Sequence, residues 1–366
     1  MSDKFISSLW DFRNTEQDKS DLKVHNFLRW YGKLPPQLVR KLLNLYSQEK
    51  DLVLANFSGS GTVALESLLN NRNCIAIDSN PLAIILTDVK THPIEFKFES
   101  FKKKWDKYLK TKPERVNTKD EYEKKWFNKD SFADIQLIKS FISTCKAKRE
   151  KELLLLVLAS TIKKLSLVDA RCINHIVVDK NKKNPDALSI FKEKLEEISV
   201  VLKIIKEKVK EGTEIKVIHG DARKLPLKDS SIDLVISHPP YLGNVDYTNI
   251  NQLENYILGY DYQSIRNTDL STNNLDKYLR SIYIVMDEMN RVVKRGGRIC
   301  LIIGDNRKDG EIIPTFSHFI QYAKDTLDLK LEDIFIWVLS QKAGMNIKRH
   351  GNHIDHNYVL VFQKRA

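Results

Sequence analysis

Short uninterrupted apolar runs, each closed by a turn-forming residue, occupy two stretches of the chain and frame a longer stretch patterned only for helix. In the first, Leu52-Val53-Leu54-Ala55-Asn56-Phe57 ends in a glycine turn, Thr62 to Leu69 is helical, and Cys74-Ile75-Ala76-Ile77-Asp78 is a second buried run before Pro81 opens another helix. This strand–helix alternation predicts a parallel sheet covered on both faces. From about residue 98 to 211 the alternation stops. Apolar residues recur there at three- and four-residue spacing: Phe132, Ile135, Leu137, Ile138, Phe141 and Ile142, then Leu153 to Leu167, then Leu188 to Val209. Lys180 to Pro185 is a polar break, and the whole stretch reads as a helical insertion. Strands resume at Ile215 to Ile218 and Ile232 to Ile236. A helix from about Asn274 to Val293 is expected to end at Gly296-Gly297, and Arg298 to Ile303 follows as a buried strand. Leu331 to Leu339 and His356 to Phe362 are the last two strands, flanking a polar loop, and no repeat is evident.

Composition adds bounds. With 366 residues, 42% hydrophobic and 30% charged, the chain has the make-up of an ordinary globular protein with a sizeable core. Its longest apolar run, Leu153 to Ser160, is far too short for a bilayer. Met1-Ser2-Asp3-Lys4 lacks a basic segment followed by an apolar stretch, so no secretory signal is expected. Cys74, Cys145, Cys172 and Cys300 have no paired spacing, and read as reduced thiols of a cytoplasmic protein, at least three of them buried. The net charge of +12 is concentrated: residues 101 to 210 hold 28 Lys plus Arg against 16 Asp plus Glu, which is the entire excess. A basic module beside a neutral one suits a polyanion, although a lysine-rich solvated surface would look the same.

Two motifs carry candidate chemistry. Phe57-Ser58-Gly59-Ser60-Gly61-Thr62 lies between a strand and a helix, where glycines permit a sharp turn and let a ligand lie against bare backbone. Asp78 ends the next strand, about twenty residues on, where a carboxylate can take both hydroxyls of a ribose. Ser79, Asn80 and Pro81 follow it. No Gly-Lys-Ser/Thr follows the loop, which excludes a P-loop, while a dinucleotide site stays open. The second motif, Ser237-His238-Pro239-Pro240-Tyr241, directly follows another strand, and Gly220-Asp221-Ala222 follows a third. Ligands in such sheets sit beyond the carboxyl ends of the strands, so these segments should converge.

The glycine loop resembles the S-adenosylmethionine motif of amino-methylating DNA methyltransferases, typically Asp-Pro-Phe-x-Gly-Ser-Gly-Thr, with Ala55 and Asn56 standing where Asp and Pro are usual. His238-Pro239-Pro240-Tyr241 resembles the catalytic tetrapeptide of a branch of that family. Trp30 to Leu38, with Tyr31 and Pro35, resembles the segment that covers the methionine end of the cofactor, its two prolines preceding a helix from about Gln37. Asp246-Tyr247-Thr248, Leu253-Glu254, Ile302 to Arg307 and His356 to Phe362 are similar to later segments of the branch, so the likeness runs over almost the whole chain.

The resemblance implies a class I S-adenosylmethionine-dependent methyltransferase: a Rossmann-like α/β fold with a seven-stranded sheet, an antiparallel final hairpin and a helical insertion. The catalytic domain is expected over 21–97 and 212–366, the basic insertion over 98–211 as the target-recognition region, and an extension over 1–20. Tyr31, Pro35, Phe57, Ser58, Gly59, Ser60, Gly61, Thr62, Asp78, Ser79, Asn80, Asp221, Ala222 and Ser237 are implied in cofactor binding, with Asp221 toward the adenine. An amino group conjugated to a base ring is a poor nucleophile, and acceptors that take its N–H bonds localise its lone pair. The Pro239 carbonyl and a neutral His238 imidazole are implied as those acceptors, so methylation should fail as His238 is protonated below its ordinary pKa. Tyr241 is implied as the surface on which an extruded base stacks.

The partner implied is double-stranded DNA, as in restriction–modification, with a cognate restriction endonuclease as a further candidate. Cytosine N4 is preferred to adenine N6. RNA base methylation and a non-catalytic DNA-binding subunit are the alternatives. His350, His353, Asp355 and His356 are not expected to hold a metal. C5-cytosine chemistry is not expected, because no cysteine lies near residues 237–241.

Overall fold

The computed structural model describes residues 7–12, 23–118, 120–169, 171, 175–243, 245–308, 311–339 and 356–365. Cys172 and the polar loop with Lys348, Arg349, His350, His353 and Asp355 lie outside them.

Apart from β1, β7 and β8, which no apolar run announced, each strand grows from a predicted run of branched and aliphatic residues: β1 (Ser7–Asp11), β2 (Leu52–Ala55), β3 (Asn73–Asp78), β4 (Ile215–His219), β5 (Ile232–Ser237), β6 (Val293–Ile303), and after a small hairpin of β7 (Asn306–Lys308) with β8 (Glu311–Ile313), β9 (Leu329–Val338) and β10 (His356–Lys364). The main sheet runs β1-β9-β10-β6-β5-β2-β3-β4. β10 is antiparallel to both neighbours, and the other adjacent pairs are parallel. The sheet thus has eight strands, not the expected seven. The eighth is β1, which pairs in parallel with β9 from Ser7↔Ile334 to Asp11↔Val338. Trp10 stacks on Phe335 at 4.0 Å between centroids while Leu9 faces outward. Five residues are too few to announce a strand from alternation, and the open edge of β9 supplies the pairing.

Gly296-Gly297 does not end a helix as expected. The preceding helix stops at Val292 and β6 begins at once, its register against β5 skipping from Ile232↔Val293 to Leu234↔Arg298. The glycines sit in the extra residues of that bulge.

Helices cover both faces. On one lie α1 (Pro36–Tyr46), α2 (Thr62–Leu69) and α3 (Pro81–Thr91), together with five helices of the basic stretch: α4 (Phe98–Lys110), α5 (Glu121–Trp126), α6 (Lys129–Ser143), α7 (Lys148–Leu165) and α8 (Ala187–Lys208). Short helices α9 (Tyr247–Ile250), α10 (Gln252–Leu258) and α11 (Tyr262–Thr268) follow β5. α12 (Leu275–Val292) and α13 (Thr315–Thr326) cover the other face. The basic stretch is an added layer rather than a lobe on a linker. Phe101, Trp105, Phe141 and Phe191 belong to one continuous core with Val53, Ala55 and Ile236 of the sheet. It is also tied to α10, through Tyr122 to Gln252, Tyr256 to Glu123, and Lys163 to Glu254. Of the cysteines, Cys74 and Cys300 are buried and Cys145 only partly so.

Candidate active site

The turn from β2 into α2 is possible because Gly61 adopts a left-handed conformation, φ 75°, as the residue that caps α2. A Cβ there would meet Thr87 Oγ1 at 2.8 Å and Thr87 Cα at 3.1 Å, so any side chain would be excluded on both counts. Asp78 binds the turn from the next strand: its carboxylate accepts the Gly59 N–H at 2.7 Å and the Asn80 N–H at 2.9 Å. Asn80 then caps α3 by accepting from Leu82 N–H. Burial pushes the Asp78 carboxyl up to about 6, against the pull of those two backbone bonds.

Behind the loop stands Lys90, fully buried, whose ammonium donates to the carbonyls of Ser60 (2.7 Å) and His25 (3.0 Å). It joins the glycine loop to the 23–34 segment that covers it. Burial holds this lysine well below its ordinary pKa. Sequence reasoning missed Lys90, although a lone lysine in the apolar helix Pro81–Thr91 was a signal.

The covering segment is anchored by a second buried cluster. His25 Nε2 and Glu66 Oε1 are 2.9 Å apart, and Arg40 Nε reaches Glu66 Oε2 at 3.0 Å. Burial drives His25 down, so it is neutral and donates from Nε2. Burial pushes Glu66 up, but the bonds from His25 and Arg40 outweigh it and hold its pKa below 4.5. Glu66→Ala should cost about 3 kcal/mol in a denaturant titration, the low end for a broken buried pair because the exposed side of Arg40 can rehydrate. Since the folded pKa of Glu66 is depressed, this contribution is complete above 4.5 and fades as pH falls through the folded value.

These elements enclose one cleft of about 810 Å³, mouth included, at the carboxyl ends of the strands. Its walls include Tyr31, Phe57, Ser58, Gly59, Ser60, Thr62, Asp78, Ser79, Asn80 and His238, all expected from sequence, together with Pro240. The far wall, Tyr247, Thr248, Ile265, Thr268, Asp269 and Leu270, was mostly unexpected. Asp269 holds that wall together by accepting from the backbone and hydroxyl of Thr248, at 3.1 and 2.5 Å.

The other expected residues do not line the cleft. Pro35 turns the chain into α1, Gly61 is covered by Thr87, and Ala222, Ser237 and Pro239 are buried. Asp221, expected toward an adenine, is forked by the Arg223 guanidinium at 2.6 to 3.1 Å. Tyr241 stands behind His238, its hydroxyl 2.9 Å from Nε2. Burial lowers His238 to about 4, so it is neutral near pH 7. Among the described residues, buried Asn56 finds no partner for either amide atom, nor does the Ser237 hydroxyl.

A parallel sheet carrying one antiparallel strand near its edge, a glycine loop after β2 and a carboxylate closing β3 define a Rossmann-like S-adenosylmethionine-dependent methyltransferase fold. Residues 1–87 and 232–366 match the profile of the N6/N4 DNA methylase family, and the chain belongs to that family of amino-methylating enzymes. The match leaves out the basic helical layer.

The chain is 25% identical over 282 residues to the type II methyltransferase M.BsoBI of Geobacillus stearothermophilus, covering 68% of this chain and 55% of that protein. It is 20% identical over 404 residues to the type II methyltransferase M.MjaII of Methanocaldococcus jannaschii, covering 81% and 75%. The chain thus spans little more than half the length of the first of these relatives. A S-adenosylmethionine-dependent methyltransferase structure from Methanosarcina mazei aligns with a TM-score of 0.35 at 12% identity, over 88% of this chain and 97% of that one.

The cofactor of this family is S-adenosylmethionine, and the cleft fits it. Each Asp78 oxygen accepts one backbone N–H and keeps a lone pair for a ribose hydroxyl, on a wall with room for a nucleoside. Among the described residues no cluster could hold a metal ion, and no helix is long and apolar enough to cross a membrane.

Proposed function

We propose that the protein is a DNA methyltransferase that places a methyl group on an exocyclic amino nitrogen of a base, cytosine N4 ahead of adenine N6. One observation carries this reading: the glycine loop with Asp78 and the tetrapeptide residues His238 and Pro240 line the same cleft. When bound, S-adenosylmethionine supplies an electrophilic methyl on its sulfonium. Asp78 holds the ribose and Phe57 to Thr62 leave backbone bare beneath the cofactor. Tyr31 and its segment cover the methionine end. Pro239 and Pro240 keep the chain extended so that the Pro239 carbonyl accepts an amino N–H of the target base. The Tyr241 ring supports an extruded base from behind His238.

The DNA contacts are assigned to the basic layer and its junction with the cleft. A smaller recess lined by Arg29, Lys163 and His175 shares Trp30 and Tyr31 with the cleft. The Arg29 guanidinium there suits a phosphate flanking the target nucleotide. Arg29→Gln should weaken binding equally for all sequences and flatten the dependence of log affinity on log salt by about 0.9. Cofactor affinity, read by calorimetry, should not change. A cytoplasmic enzyme paired with a restriction endonuclease is the setting this reading favours.

Incubation with radiolabelled S-adenosylmethionine and DNA, followed by mass spectrometry of the nucleosides, tests the proposal. N4-methylcytosine is the first expected product and N6-methyladenine the second. Label only in RNA, or cofactor binding with no label in any nucleic acid, would replace it with an RNA enzyme or a non-catalytic subunit.

A further inference from the structure

The proposed methyl transfer uses the Tyr241 ring and leaves its hydroxyl without a task. Resting on the proposed function, we infer that it is a positioning group that makes His238 a hydrogen-bond donor toward the target base. That donor selects bases whose ring nitrogen beside the exocyclic group is an unprotonated acceptor.

The geometry is local and specific. Tyr241 Oη lies 2.9 Å from His238 Nε2, and the two rings meet edge to face at 5.2 Å and 83°. The phenol reaches this position because Gly304, just beyond β6, has no side chain. A Cβ there would stand 2.9 and 3.1 Å from the ring carbons Cε2 and Cδ2. Among the described residues Nε2 is the hydrogen-bond partner of that hydroxyl. A phenol has one proton, and an unprotonated imidazole nitrogen is a better acceptor than a phenol oxygen. If Nε2 donated instead, the hydroxyl proton would lose its partner in a half-buried site, which costs the desolvation of that group. The O–H therefore donates to Nε2, and the histidine proton resides on Nδ1. Among the described residues Nδ1 has no hydrogen-bond partner, and His238 is part of the cleft wall.

An Nδ1–H donor reads a particular edge. Cytosine N3 and adenine N1 are bare acceptors beside an amino group, whereas thymine N3 and guanine N1 carry a hydrogen beside a carbonyl. The donor meets an acceptor in the first pair and a like donor in the second. His238 then orients and selects the base, while the Pro239 carbonyl takes the amino N–H. This differs from the sequence expectation that His238 accepts from the amino group.

Tyr241→Phe keeps the ring and removes only the hydroxyl. In histidine-15N spectra of the unliganded full-length protein, wild type should show His238 protonated on Nδ1, and Tyr241→Phe should move the proton toward Nε2. In methylation assays the variant should raise KM for DNA about tenfold while the affinity for S-adenosylmethionine stays unchanged. A wild-type proton on Nε2, an unaltered tautomer in the variant, or an unchanged KM for DNA would each overturn the inference. Because the spectra need neither cofactor nor DNA, they decide the tautomer even where no methylation is found, a result that would defeat the proposed function instead.

Discussion

Replacing Asp78 by Asn is expected to weaken S-adenosylmethionine binding about 100-fold by calorimetry, with little change in fold. The carboxylate already accepts the Gly59 and Asn80 N–H groups, one per oxygen. An amide of the same shape must turn its NH₂ toward one of these donors, which breaks that bond and disturbs the glycine loop. It also loses the charge that strengthens bonds from ribose hydroxyls. Two charge-assisted bonds weakened to neutral ones account for about 2.7 kcal/mol, which is the 100-fold.

The same residue sets a pH window. Burial raises Asp78 to about 6 from an ordinary value of 3.8, so the folded protein holds this proton more tightly than the unfolded chain. The unliganded fold therefore loses stability from this group as pH rises from 3.8 through 6. Cofactor binding has the opposite sign, because it uses the ionised form, and should weaken as pH falls through about 6. Affinity that stays flat down to pH 5 would remove Asp78 from the cofactor site.

The second large effect is expected at His238. His238→Ala should lower kcat/KM for DNA by about 10²–10³-fold, the scale of losing one preorganised polar contact at a reacting centre. S-adenosylmethionine affinity, carried by the glycine loop and Asp78, should remain near wild type. Sequence alone placed an acid limb near the ordinary histidine pKa of 6.5. Burial moves the His238 transition down to about 4. With saturating cofactor, methylation should therefore persist at pH 5.5, where a solvated imidazole would be mostly charged. A fall in kcat centred near 6.5 would show that His238 is more hydrated than its surroundings imply.

The two pH effects separate the roles of the two groups. The cofactor step should titrate near 6, whereas His238 takes up its second proton only near 4, in that order on acidification. Had both residues been exposed, the order would be reversed, since an ordinary carboxyl titrates below an ordinary imidazole. Desolvation disfavours the charged form of each, raising the acid and lowering the base.

Local chemistry determined much of this protein from sequence. Leu52 to Ala55, Asn73 to Asp78 and Ile232 to Ser237 had to be buried parallel strands, because continuous apolar runs satisfy both faces of a covered sheet. The glycine loop, Asp78 and the His-Pro-Pro-Tyr segment were legible because backbone turns and polar groups at strand ends are properties of short segments. Contacts between distant segments were not. Edge pairing of Ser7–Asp11, the Lys90 clamp on the Ser60 and His25 carbonyls and the Asp269 wall required the tertiary fold. Above all, burial decided the protonation of His238 and Asp78. Desolvation depends on everything packed around a group, and no motif records it.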